Sequence, residues 1–168
     1  MNDFISKLDS TLNILFQQYK LDLKNQPVGV LLSGGIDSST ISYYCQKYFQ
    51  NVTFYSFGVK DNFDKPFAEL IKLQFNIQLE YLEIDENMIV NHISKVKELL
   101  QQVNIETNLM QVSLAMGYFL IFQKIREMNI NHIFTGQGPD ILLAGYHKYK
   151  SLMTSEINAT IEQDMPLL

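Results

Sequence analysis

Two periodicities alternate along the chain. The first stretch places Phe4, Ile5, Leu8, Leu12, Leu15, Phe16 and Tyr19 at helical spacing, which predicts an amphipathic helix over residues 1–20, docked on a body or on a partner. Asn25-Gln26-Pro27 breaks that pattern. Val28-Gly29-Val30-Leu31-Leu32 then forms a short apolar run bounded by turn residues, the mark of a strand buried on both faces. After Ser33-Gly34-Gly35-Ile36-Asp37-Ser38-Ser39, the positions Ile41, Tyr44, Cys45, Tyr48 and Phe49 return to helical spacing. The unit reads as strand, Gly-rich turn, helix.

The alternation continues to the end of the chain. Val52–Phe57 is β-branched and aromatic and predicts a second strand. Asp64 is placed to cap a helix carrying Pro66 in its first turn, followed by Phe67, Leu70, Ile71 and Phe75. Leu79–Ile84 predicts a third strand, and Asp85 opens a helix through Ile89, Ile93, Val96 and Leu100. A longer helix is expected over 109–128, a fourth strand over 131–135, a second Gly-rich turn over 136–140 and a polar helix near 151–164. Strands alternating with helices predict an α/β fold with a mostly parallel sheet of at least four strands, covered by helices on both faces. Such sheets bind ligands beyond the carboxyl ends of their strands. Both Gly-rich turns sit at carboxyl ends. If the first and fourth strands are neighbours, the turns face each other across one crevice, and Asp37 and Asp140 both point into it.

Composition narrows the classes. The 168 residues are 46% hydrophobic and 18% charged, which excludes a wholly disordered chain and suits a single domain over 1–168. The formal charge of −5 argues against a nucleic-acid binder, whose affinity rests on basic patches. One cysteine, Cys45, closes no internal disulfide and offers no metal-ligand spacing. No run reaches the roughly 18 apolar residues of a membrane span, and the first residues lack the pattern of a signal peptide. A cytoplasmic protein without membrane contact is therefore expected.

The first turn can hold an anion. Glycines allow close approach of backbone to ligand, the free amides of a helix N-terminus attract negative charge, and Ser33, Ser38 and Ser39 add hydroxyl donors. Neither Gly-x-x-x-x-Gly-Lys-Ser/Thr nor Gly-x-Gly-x-x-Gly is present. Ser33–Ser39 instead resembles the pyrophosphate-binding loop of the N-type ATP pyrophosphatases. Those include the synthetase domains of asparagine, argininosuccinate, GMP and NAD synthetases. The second turn, Thr135-Gly136-Gln137-Gly138-Pro139-Asp140 through Gly145-Tyr146, resembles the asparagine synthetase pattern Ser/Thr-Gly-Glu-Gly-x-Asp-Glu-x-x-x-Gly-Tyr. Tyr55–Val59 and Glu106-Thr107 are similar to that family's second strand and its Glu-Thr pair, so the likeness covers residues 28–149.

The resemblance implies an adenine-nucleotide alpha-hydrolase-like fold with strand order 3-2-1-4, and an ATP site. Ser33, Gly34, Gly35, Asp37, Ser38 and Ser39 would hold pyrophosphate, and Asp37 and Asp140 would bind Mg²⁺. Leu31 and the stretch Phe57–Val59 would contact adenine, and Thr135 and Gly136 would lie near the ribose and α-phosphate. In the family a substrate carboxylate attacks the α-phosphate to give an acyl-adenylate, which an amine then converts to an amide. Glu106 would orient substrate, and aspartate is one candidate carboxylate. Gln137 stands where the family has its first acidic residue of this loop, and Ile141 where it has the second. Nothing resembles a glutaminase domain. The family's later helices supply a lysine and an arginine that have no counterpart before Leu168, unless Lys148 or Lys150 folds back. Two readings follow: an ATP-dependent asparagine synthetase-like amide ligase, or a nucleotide-binding subunit or degenerate domain, inactive without a partner chain that supplies the missing C-terminal helices. A homodimer or a hetero-complex is expected in either case.

Overall fold

The strand most enclosed by the fold is β1 (Val28–Leu31), all four residues of which are buried. It lies inside a parallel sheet, paired with β2 (Val52–Val59) on one side and β4 (His132–Phe134) on the other. β2 in turn pairs with β3 (Leu79–Ile84), giving the order β3-β2-β1-β4. The computed structural model describes residues 2–165; Met1 and residues 166–168, which the single-domain expectation also covers, lie outside them.

Parallel neighbours need crossovers, and the amphipathic segments supply them: α2 (Ile36–Tyr48), α3 (Lys65–Phe75), α4 (Glu86–Gln102) and α5 (Leu109–Glu127). Successive strand residues point to opposite faces, so each face gets its own core. Val30, Leu32 and Phe54 pack with Tyr44, Cys45, Phe49 and Ala68 on the α2/α3 side. Leu31 and Tyr55 pack with Ile121, Ile125 and Ile130 on the α5 side. α4 and α5 close a further cluster through Val96, Leu100, Val112 and Met116.

The N-terminal helix, α1 (Asn2–Leu23), docks on the body. Phe16 is 2% exposed and stacks on Tyr44 at 5.4 Å and on Phe134 at 5.5 Å. Burying a ring this fully is worth about 1.5–3 kcal/mol. Tyr44 donates to Asp9 at 2.5 Å and Tyr48 to Asn13 at 2.6 Å. Burial, with Asp9 beside it, pushes the Tyr44 phenol up to about 12. Phe4, Ile5 and Leu8 of the same helix stay exposed.

Several element boundaries differ from expectation, α1 running on to Leu23 among them. β2 runs on to Val59, because its pairing with β3 continues to Val59 opposite Ile84. β4 is only His132–Phe134. The second Gly-rich turn contains a single helical turn, α6 (Pro139–Leu142). A 3₁₀ turn, His147–Ser151, precedes α7 (Thr154–Asp164). Asp85 caps α4 as expected, accepting from the Met88 amide at 2.8 Å. Asp64 occupies the cap position of α3 without a side-chain bond; its own amide donates to Asn62 Oδ1 at 2.6 Å. Among the described residues no helix is long and apolar enough to cross a membrane.

Candidate functional site

β1 delivers the chain from the buried core straight into the first loop. Gly34 has φ +86°, and a Cβ there would lie 2.5 Å from the Phe67 carbonyl carbon, so only glycine makes this turn beside α3. Ser38 ties the loop to itself. Its buried Oγ accepts from the Ser33 amide at 3.2 Å, lies 3.0 Å from Ser33 Oγ and donates to the Gly35 carbonyl at 3.2 Å. Gly35 sits at the cap of α2 with no side-chain bond to the helix amides. Those amides are left for an anion, and Asp37 stands in the first helical turn.

The second loop leaves β4 and packs against the first. A Cβ on Gly136 would be 2.5 Å from the Ser38 nitrogen and 2.9 Å from the Asp37 carbonyl carbon. Gly138 turns at φ +110° and starts α6, which carries Asp140. Gly145 makes room for that carboxylate: a Cβ there would meet Asp140 Oδ1 at 2.4 Å, and the Gly145 amide donates to the Asp140 carbonyl at 2.8 Å. Burial, and then the charge of Asp140 across the gap, hold the Asp37 carboxyl above the usual carboxylate range.

The two loops form one end of a crevice of about 660 Å³. Of the residues singled out in the sequence, Leu31, Ser33, Gly35, Asp37, Ser38, Phe57, Val59, Thr135, Gly136, Gln137 and Asp140 line it. Gly34 and Ser39 do not: Gly34 shapes the turn, and the Ser39 hydroxyl is buried without a hydrogen-bond partner. Glu106 is also off the wall. It lies in the exposed segment before α5 and accepts from Asn108 Nδ2 at 3.1 Å, while Asn108 caps the helix. Lys148 does not fold back toward the loops. Its Nζ is held by Asp164 at 2.6 Å, over the Tyr149 ring at 5.2 Å.

Sequence reasoning missed the far wall, where Ile84, Ile89, Ile93, Val112 and Met116 form an apolar end. It also missed Tyr118, whose phenol accepts a hydrogen bond from Gln137 Nε2 at 2.6 Å. The one available signal was a phenol in the apolar run 114–122 of α5. Among the described residues no three His, Cys, Asp or Glu side chains gather to enclose a metal ion. Two carboxylates pressing on each other at the mouth of an amide-rich loop nevertheless fit Mg²⁺, which takes one or two carboxylates and completes its shell with phosphate oxygens and water.

Comparison with known proteins gives three findings. Residues 20–164 match the family model described as asparagine synthase. A Methanocaldococcus jannaschii protein, named for asparagine synthetase of the glutamine-hydrolyzing type, is 27% identical over 129 residues. That stretch is 74% of this chain and 22% of the relative, so the chain spans about a fifth of the length of the curated protein it matches. Two solved structures share the fold at a TM-score of 0.57. One is an NH3-dependent NAD synthetase from Campylobacter jejuni, 18% identical, with 84% of this chain and 60% of that one covered. The other is an NMN synthetase from Francisella tularensis, 15% identical, with 86% and 59% covered.

Proposed function

The chain belongs to the asparagine synthase family, and on that premise we propose that it binds ATP with Mg²⁺ between its two Gly-rich loops and activates a small carboxylate for amidation. The observation that carries this reading is the placement of Asp37 and Asp140 at the mouth of one crevice, each presented by a glycine-shaped loop at the carboxyl end of adjacent strands. Residues 1–168 would act as one nucleotide-binding domain.

The residues divide the work. The α2 amides and the hydroxyls of Ser33 and Ser38 would receive the β- and γ-phosphates. Leu31, Phe57 and Val59 would flank the base, and Thr135 and Gly136 the α-phosphate. Asp37 and Asp140 would hold Mg²⁺, which supplies positive charge against the departing pyrophosphate. The carboxylate of a substrate such as aspartate would attack the α-phosphorus. A P–O bond forms to the acyl oxygen, and the bond to pyrophosphate breaks. Ammonia or another amine then attacks the acyl carbon and releases AMP. Gln137 is an amide and takes no proton, so it would orient an oxygen by hydrogen bonding while the amine loses its proton elsewhere.

One observation favours a second reading. Among the described residues the crevice wall carries Asp37, Asp64 and Asp140 but no Lys, Arg or His. Adenylyl transfer gains from cations around the transferred phosphorus, and one missing preorganised donor typically costs roughly 10²–10³ in rate. The chain would then bind nucleotide and depend on basic groups from a second copy or another chain for turnover. Product analysis with α-labelled ATP, Mg²⁺, aspartate and ammonium tests both readings. AMP with pyrophosphate supports the first. Tight binding without turnover supports the second, and ADP as the main product overturns both.

A further inference from the structure

We propose that Tyr118 is a positioning residue for the second loop: its phenol holds Gln137, and through Gln137 the loop that presents Asp140. The inference rests on the nucleotide reading above for its consequence, but the contact itself does not.

The segment 135–138 packs on the first loop at Gly136 but has few hydrogen bonds to hold it there. It follows a strand of only His132–Phe134 and precedes the single turn of α6. Within the loop the Gln137 amide donates weakly to Thr135 Oγ1 at 3.4 Å. Among the described residues, the Gln137–Tyr118 bond of 2.6 Å is the one side-chain hydrogen bond joining this loop to another element. Gln137 itself is exposed, so nothing else packs it into place.

Tyr118 is fixed on its other sides. Its ring meets Phe57 edge-on at 5.6 Å and Phe122 at 5.8 Å. Phe57 is in turn set over Gly117, where a Cβ would lie 2.3 Å from its ring. Rigid contacts therefore run from β2 through Tyr118 to the loop, and Phe57, Tyr118 and Gln137 all line the crevice. A loop tied down before the ligand arrives does not have to be ordered at the moment of binding, and that ordering cost comes off the affinity when the tie is cut. The effect should fall on the part of binding that needs Asp140 in place, which is the metal-dependent part.

The test uses the full chain and four proteins: wild type, Tyr118→Phe, Gln137→Met and the double variant. Titration calorimetry with ATP is run in Mg²⁺ and in EDTA. Losing one neutral hydrogen bond should weaken Mg²⁺-ATP binding about fivefold. Metal-free ATP affinity should stay unchanged in Tyr118→Phe, and the double variant should lose no more than either single one. Equal weakening with and without Mg²⁺ would make Tyr118 a direct ligand contact and overturn the proposal, as would additive losses. Hydrogen exchange of the Gly136, Gln137, Gly138 and Asp140 amides in the free protein separates this from the nucleotide reading. Faster exchange in both single variants supports the tie even if wild type binds no ATP, and unchanged exchange refutes it.

Discussion

Adding one methyl group at Gly136 should drive the two loops apart. An alanine Cβ there would stand 2.5 Å from the Ser38 nitrogen and 2.8 Å from its Cα, and both obstacles are backbone. Ordinary contact begins at 3.4 Å, so one loop must retreat by the difference from 2.5 Å, about 0.9 Å. Neither side yields by a rotamer change, because Ser38 is locked into its own loop by three hydrogen bonds. Overpacking of this kind costs about 1–3 kcal/mol. In a chain of this size each kcal/mol lowers Tm by roughly 2–4 °C. A displacement near 1 Å between groups that must share one ligand can cost about 10²-fold in function, so Mg²⁺-ATP binding should fall well beyond the stability loss. Gly35→Ala is the control for stability. Its Cβ would meet only Ser33 Oγ, at 3.5 Å, and should change the unfolding free energy by less than about 0.5 kcal/mol. Urea unfolding of both variants reads the difference. Equal midpoints for Gly136→Ala and wild type would show that the loops do not approach each other as described.

Asp37→Asn should stabilise the fold at pH 7 while removing the Mg²⁺ enhancement of ATP binding. The raised carboxyl binds its proton more tightly folded than unfolded, so ionised Asp37 opposes folding, and that opposition fades as pH falls through its raised value. The gain should therefore shrink near pH 4, and a lowered urea midpoint at pH 7 would contradict the assignment. Asp164 behaves oppositely. Hydrogen bonds from Lys148 and then Tyr149 hold its carboxyl below the usual range, so its contribution is present above about pH 4 and lost as pH falls through its folded value. Asp164→Asn should expose α7 to limited proteolysis at neutral pH, where wild type resists and yields only in acid; equal resistance of the two proteins would show that the contact does not hold the helix.

The sheet was legible because burial leaves a pattern. Val28–Leu32 carries no polar residue, which marks a central strand, and the turns after it and after 131–135 place both candidate loops at carboxyl ends. The 3-2-1-4 order followed from resemblance rather than from periodicity, and the register bears it out. What stayed hidden were choices of partner between distant residues. Nothing around Gly136 announces Ser38 as its neighbour, since a missing Cβ states that space is short and not whose space it is. Tyr118 reads as one more ring in the apolar run 114–122 until its hydroxyl is seen against Gln137. Lys148, expected at the site, lies off the crevice wall for the same reason. A long flexible cation can reach several places, and Asp164 with the Tyr149 ring offered the nearer one.

The charge of the crevice has a consequence for what can enter it. Asp37, Asp64 and Asp140 line a space whose remaining polar groups are hydroxyls, amides and Gln137. A fully ionised polyphosphate without a cation meets repulsion at the end where the α2 amides would grip it. The helix terminus provides only about half a unit of positive charge against that. With a divalent ion, the repulsion between Asp37 and Asp140 would become attraction to a shared partner, and the same two residues that would deter the free anion would retain the complex. Metal and nucleotide should therefore bind with strong mutual dependence, each raising the other's affinity by the same factor. The apolar far end adds contact area without charge, so it cannot supply the discrimination between free and metal-bound nucleotide. That discrimination is expected to rest on Asp37 and Asp140, and on how firmly the loops that carry them are held.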